Sequence, residues 1–344
     1  MVARMIIILL AGLAALLFIA NHVWRNSPAS QITPIQTGDD PAIVAFRDEV
    51  EMAYETKGID YMENWSNTLR RDESRVAGGN TRLFELYNVL LAIDCRCRDG
   101  YRRNFSFEDR KTRLDGWLNA YPQSVTANLA MAGLWEYRSW QVVNGNADLD
   151  VATPEQREEF QRDRRTAWSQ IKSLKVTDDP YVAFFKLRIR RHSDATQDEM
   201  TRMFEESVAT WPRHYQVYRL YAGLLPWILD RDRSQVRLME DLAAAKEDPD
   251  RQVGLAYIVG STFRQIRFKA WDIAWADVKH AYEVQRERYG WRNRDLNTFC
   301  FLAIQAKDWP TARNCMQEIN GHWDDVVWHS QNDFVLHELM ASLF

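Results

Sequence analysis

Two stretches of this chain align on an aromatic–proline pair, and that repetition constrains the fold more than any other feature. "LNAYPQSVTANLAMAG" starts at Leu118 and "VATWPRHYQVYRLYAG" at Val208. In each, proline closes one helical run because it lacks the N–H that would continue the hydrogen-bond ladder. A second run follows, with a small residue ten positions beyond the proline, Ala132 and Ala222. Bulky residues surround each alanine, Met131 and Trp135 in the first copy, Tyr218, Tyr221 and Leu225 in the second. A small residue between large ones at helical spacing lets a neighbouring helix approach closely. The helix before Trp211-Pro212 offers Met200, Phe204 and Ser207 with matching spacing.

This bulky–small–bulky pattern resembles the helix pairs of tetratricopeptide (TPR) repeats. A full unit is visible in "NRDLNTFCFLAIQAKDWPTARNCMQEI": Leu296, Phe299, Cys300 and Ala303 form one packing face, and Ala312, Met316 and Ile319 face back from a second helix entered by Trp309. The pair that starts at Tyr181 departs from the pattern, with Arg188 where a small residue is expected. Such hairpins cannot bury their apolar faces alone, so they stack side by side. The expectation is an all-α TPR-like solenoid of antiparallel helix hairpins over residues 42–344.

Local signals agree. Leu83, Leu86, Tyr87 and Leu90 fall on one helical stripe. Val44, Val50, Ala53 and Tyr54 suggest a helix closed by Gly58. Ser106 with Asp109 reads as a capping box, and Thr153-Pro154 as an N-cap with proline in the first turn. Alternating strand patterns are lacking, and 14 glycines against 14 tryptophans argue against a turn-rich β fold.

The amino end differs from the body. Met5–Trp24, "MIIILLAGLAALLFIANHVW", has no formally charged side chain. At 1.5 Å per residue it spans roughly 30 Å, the thickness of a bilayer core. It reads as a transmembrane signal-anchor helix, with residues 1–4 cytoplasmic and residues 25–41 a flexible, proline-bearing spacer. Arg4 and the amino group on one side, against Arg25 on the other, favour a body outside the cytoplasm, periplasmic in a Gram-negative cell. The alternative is a signal peptide cleaved near Ser27-Pro28-Ala29, which would secrete the body to the periplasm.

Several constellations were weighed for chemistry. Cys95-Arg-Cys97 lacks the two-residue gap and second pair of a zinc site. Cys300 and Cys315 fall on facing helices, as core thiols or as a disulfide in an oxidising compartment. His322, Asp324, Asp325, His329 and His337 are ligand types without compact metal spacing. Trp135, Trp140, Trp271, Trp275 and Trp291 are core fillers or, if exposed, flat anchors for peptide or glycan. The basic run at 95–113 reads as a solvated face, or as a patch for an anionic partner or lipid headgroups. The chain has no G-x-x-x-x-G-K, G-x-G-x-x-G, G-x-S-x-G or H-E-x-x-H motif, which lowers the expectation of an enzyme. A net charge of −4 gives no global field for nucleic acid.

Four segments together resemble an uncharacterised bacterial family of TPR-like proteins, a domain of unknown function. They are "LRRDESRVAGGNTRLFELYNVL" (69–90), "WLNAYPQSVTANLAMAGLWEYRSW" (117–140), "LLPWILDRDRSQVRLMEDLAAAK" (224–246) and residues 296–334. The resemblance carries no catalytic, cofactor-binding or metal residues. The expected function is a membrane-anchored, non-catalytic scaffold for a protein or peptide partner at the cell envelope. The alternatives are a glycan- or ligand-binding module and an enzyme of unrecognised type.

Overall fold

The computed structural model describes residues 40–91, 106–143, 145, 149–191, 195–228, 233–264 and 273–343, without the side chains of 225–228 and 233–234. The segment Met5–Trp24, Cys95, Cys97 and Trp271 lie outside the described residues. No helix among those described is long and apolar enough to cross a membrane. The protein is all-α: the described residues form no β-strand, and their one β-type pairing is a single bridge between Arg75 and Thr81. They divide after Gly290 into two compact units.

The first unit begins with α1 (Pro41–Thr56), α2 (Ile59–Asp72), α3 (Arg82–Leu91), α4 (Phe107–Ala120), α5 (Val125–Val142) and α6 (Pro154–Ile171). It continues with α7 (Val182–Arg190), α8 (Gln197–Thr210), α9 (Tyr215–Ile228), α10 (Arg233–Ala244), α11 (Pro249–Thr262) and α12 (Trp275–Tyr289). Odd-numbered helices pack in series, α1 on α3, α3 on α5, and so on to α11. Helices α2, α6, α8 and α10 each lie against the odd-numbered helix before and after them, α4 against α5, and α12 against α11.

The anticipated boundaries are present. Tyr121 and Trp211 are the C-caps of α4 and α8, and a proline turn follows each. Ala132 and Ala222 are completely buried, and the stripe Leu83, Leu86, Tyr87 and Leu90 lies in the core. Thr153 and Gln156 form a capping box, and Ser106 accepts the Asp109 amide. Two expectations need correction. The buried face of α1 is Ile43, Phe46, Val50 and Ala53, with Val44 only half-buried. Lys57 caps α1, and Gly58, at φ +82°, is the N-cap of α2.

Close helix crossings require missing atoms. A Cβ on Gly133 of α5 would collide with Leu91 of α3 and sit 3.0 Å from Phe185 of α7. Large side chains fill the remaining space, Trp117, Tyr87 and Phe185 among them; burying each aromatic contributes about 2–3 kcal/mol.

Dense packing leaves the carbonyls at helix ends away from water, where they need donors. Neighbouring helices supply them. Arg110 of α4 donates to the Val89 and Leu90 carbonyls (2.6 and 3.0 Å) at the end of α3. Arg164 of α6 donates to the carbonyls of Arg188 (2.8 Å) and Ile189 at the end of α7. Gln156 donates to the Val142 carbonyl closing α5 (3.0 Å). Gln252 donates to those of Leu242 and Ala245 after α10 (2.9 and 3.0 Å). Burial pushes the Arg164 pKa down to about 10, which leaves it cationic at neutral pH.

The second unit contains α13 (Asn293–Ala306), α14 (Trp309–Ile319), the short α15 (Asp325–Trp328) and α16 (Gln331–Leu343). Helices α13 and α14 form the expected pair, joined by Lys307 in the left-handed region at φ +61°. Leu296, Phe299, Cys300, Ala303, Ala312, Met316 and Ile319 are all buried. Cys300 and Cys315 are both buried and both free thiols. The turn into α15 is held by Asn297, which is fully buried. Its Oδ1 accepts from Trp328 Nε1 (2.6 Å) and the Asp324 amide (3.3 Å), while its Nδ2 donates to the His322 carbonyl (3.2 Å). Replacing Asn297 by Ala leaves a buried indole N–H and an amide without acceptors. The expected loss is about 2–4 kcal/mol in urea unfolding of the full chain, whereas replacement of the exposed Gln317 changes stability by under about 0.5 kcal/mol.

Candidate functional site

Segment 73–81, "ESRVAGGNT", connects α2 to α3 and runs inward, not over the surface. Glu73, at φ +48°, turns the chain out of α2. Ala77–Gly79 form a 3-10 turn whose two glycines take positive φ, +79° and +94°. The Val76 amide returns to the Asn80 carbonyl (2.9 Å), and the Arg82 amide to the Ser74 carbonyl (2.7 Å). Gly78, Gly79, Asn80 and Thr81 are buried.

This insertion is held by helices far away in sequence. The Gly78 carbonyl accepts from Tyr257 Oη of α11 (2.8 Å) and Gln285 Nε2 of α12 (3.0 Å), and the Gly78 amide donates to the Gly290 carbonyl (3.2 Å). Asn80 Oδ1 accepts from Gln216 Nε2 of α9 (2.6 Å) and shares the single hydroxyl proton of Tyr257 (2.7 Å) with Gly78. Asn80 Nδ2 donates to Glu85 (2.9 Å), a fully buried carboxylate that Arg47 of α1 neutralises (2.7 Å). Thr81 Oγ1 shares a hydrogen bond with Tyr181 Oη (2.6 Å) and caps α3 through the Phe84 amide (3.1 Å).

Charge and aromatic surface close the outer side of the insertion. The Arg75 guanidinium lies over the neighbouring rings of Tyr215 and Tyr289 (5.3 and 5.4 Å) and donates to the Gly79 carbonyl (2.6 Å). Tyr215 and Tyr289 hydroxyls meet at 2.9 Å, and Tyr215 donates on to Asp250 (3.0 Å), which also takes Arg288 (2.6 Å). Burial raises the Tyr215 pKa, with Tyr289 and Asp250 adding to it, so its hydroxyl keeps its proton. Deeper in, Asp179 is fully buried and accepts from Arg70 (2.7 Å), Tyr87 (2.9 Å) and the Tyr181 amide (2.7 Å). A lone carboxylate there would be costly; the three donors offset that.

Chemically, this arrangement holds an extended main chain through side-chain donors. In the sequence the segment stands out only as part of the 69–90 stretch and shows no binding or catalytic pattern. The readable signal was "GG" between two helical stripes, a pair that suits positive φ and close approach.

The residues singled out by sequence are scattered. Trp135 carries Arg138 over its ring (5.2 Å) and meets Phe107 edge-on, while Trp140 donates to Glu136 (2.8 Å) and meets Phe160. Trp291 packs on Phe299, and Trp275 is half-buried. Within 95–113, Arg110 is a buried helix-end donor and not part of a solvated face. Arg188, the departure from the repeat, pairs with buried Glu136 at 2.7 Å. His337 bonds the Asp333 carbonyl (2.8 Å), and Asp324 takes Arg294 (3.1 Å) and the Val326 amide (2.9 Å). Among the described residues no three His, Cys, Asp or Glu side chains are arranged to hold a metal ion. A depression of about 200 Å³ lies between Glu240, Ala243, Ala244 and Ile273, with the Lys246–Asp277 ion pair (3.0 Å) on its rim. Comparison of the chain with protein families, curated proteins and solved structures finds no match.

Gly79 and Gly58 separate the two demands made on glycine here. A Cβ at Gly79 would meet the Tyr289 ring at 2.9 Å, while one at Gly58 meets nothing within 4 Å, although both φ are positive. Gly58→Ala is expected to cost about 1–3 kcal/mol of backbone strain, and Gly79→Ala about 1–3 kcal/mol beyond its own strain because the ring must also move. Urea midpoints of the two variants measure the difference.

Proposed function

We propose that the chain is a non-catalytic TPR-like scaffold whose odd-numbered helices bind a protein or peptide partner. The observation that supports it most is the hold on segment 73–81: Tyr257, Gln285 and Gln216 engage a main-chain carbonyl and an amide side chain as a peptide receptor would. The serial packing of odd-numbered helices supports the solenoid reading, because it is the order in which stacked hairpins present one continuous face. The membership in a TPR-like bacterial family belongs to the same proposal. So do tethering to the inner membrane by Met5–Trp24 and a periplasmic body, released only if the segment is cleaved.

Peptide is favoured over glycan by the tryptophans. Trp135, Trp140 and Trp168 are half-buried, and each has a cation of this chain over its ring: Arg138 (5.2 Å), Arg164 (5.9 Å) and Arg190 (5.0 Å). Those faces are already used, whereas sugar rings need them free.

Photo-crosslinking in intact cells tests the reading. A crosslinking amino acid at Asn88 of α3 or Leu220 of α9, both half-buried on the odd-numbered helices, is expected to give a discrete protein adduct. Absence of any adduct at both positions, with full-length protein present in the membrane fraction, would count decisively against a partner on this face.

A further inference from the structure

His214 is a buried titratable group to which the packing gives no hydrogen-bond partner. It lies in the turn after Trp211-Pro212, is 3% exposed, and neither Nδ1 nor Nε2 is bonded. Its ring stands edge-on to Tyr181 (4.9 Å between centroids) and to Trp211 (5.9 Å). The charges around it come from three elements. Its own turn contributes Arg213, and the inserted segment contributes Arg75 and Glu73. Asp179 and Tyr181 precede α7. Each acid is already engaged: Glu73 takes Arg213 (2.9 Å) and stands 3.9 Å from Arg75, while Asp179 takes Arg70 (2.7 Å). Burial, then Arg75 and Arg213, hold the imidazole well below its ordinary pKa of 6.5.

We propose that His214 is an acid-sensitive pin, whose protonation releases segment 73–81 from the start of α9. The position suits this role. Gln216, two residues on, donates to Asn80, and Tyr181, the ring against which His214 packs, bonds Thr81. A charged imidazole at this place has two guanidinium neighbours and no acceptor, so the closed seam excludes the added proton. When the turn lifts, Nδ1 and Nε2 reach water and the proton binds there. The two bonds to Asn80 and Thr81 loosen with it. The device stands whether or not a partner uses the odd-numbered helices.

The direction follows from linkage. The open seam takes up a proton near the ordinary histidine pKa of 6.5, and the closed seam does not. Closure is therefore independent of this group above that pH, and its equilibrium falls by up to about tenfold for each pH unit below it. The depressed value in the closed form means that the stabilising effect is present at neutral pH and lost on acidification.

Hydrogen exchange of the full-length chain, read as protection factors so that the intrinsic pH dependence divides out, tests the pin. Between pH 6.5 and 5.5 protection across 73–81 and 211–217 is expected to fall by about fivefold, while the α5–α6 hairpin keeps its protection. In His214→Phe the fall should vanish. Unchanged protection in the native chain, or an equal fall in the variant, overturns the proposal. Should His214→Phe not fold, histidine-labelled NMR of the native chain decides: a His214 ring that stays neutral in the closed form down to pH 5.5 supports the pin, and one titrating near 6.5 overturns it.

Discussion

A peptide segment that leaves the surface must find donors and acceptors for its main chain, and the inward course of residues 76–81 imposes that demand on half the first unit. Water cannot serve Gly78 or Asn80 there, so side chains from α9, α11 and α12 do. The bonded residues lie 136 to 207 positions apart in sequence. In a simple stack of repeats each hairpin touches only its neighbours. Here the connection between α2 and α3 ties the early helices to the last pair of its unit, adding long-range cooperativity to local packing. Arg75, stacked over two adjoining tyrosines, and Asp179, with its three donors, make sense only as parts of this seam.

The same polar accounting explains the long side chains of the body. Arginines and glutamines on one helix repeatedly end on the last carbonyls of another, as Arg110 does for α3, Arg164 for α7 and Gln252 for α10. An apolar residue at those sites would pack equally well and leave buried acceptors unsatisfied. Cations over the rings of Trp135, Trp140 and Trp168 tie these aromatic side chains to helices of this chain in a comparable way. His214, like the Ser207 and Tyr218 hydroxyls, is buried without a side-chain hydrogen bond, and of the three only its ring can take up a proton near neutral pH.

Much of the helical frame was readable in advance. Proline after a helical run lacks the N–H for the next rung of the ladder, so Tyr121-Pro122 and Trp211-Pro212 marked two hairpin boundaries by local chemistry, although α9 itself runs through Pro226. Alanine at 132 and 222 declared a buried helix face, and both are fully buried, while capping residues at Ser106 and Thr153 act within three residues of themselves. Gly58 was harder: a glycine between two helical runs can end one or begin the next, and the pattern around it is the same in both cases. Arg188 was a visible break in the repeat, but its partner, Glu136, is 52 positions away.

By itself the sequence determined the all-α class, the pairing of helices into hairpins and the faces they bury, because periodicity, capping and proline act over a few residues. Tertiary structure alone decided that "ESRVAGGNT" turns inward, that Tyr257, Gln216 and Gln285 meet it, that the body divides after Gly290, and that His214 is sealed between arginines without an acceptor. Those outcomes depend on which polar groups become neighbours once water is excluded, and no local pattern encodes a meeting between residues some two hundred positions apart.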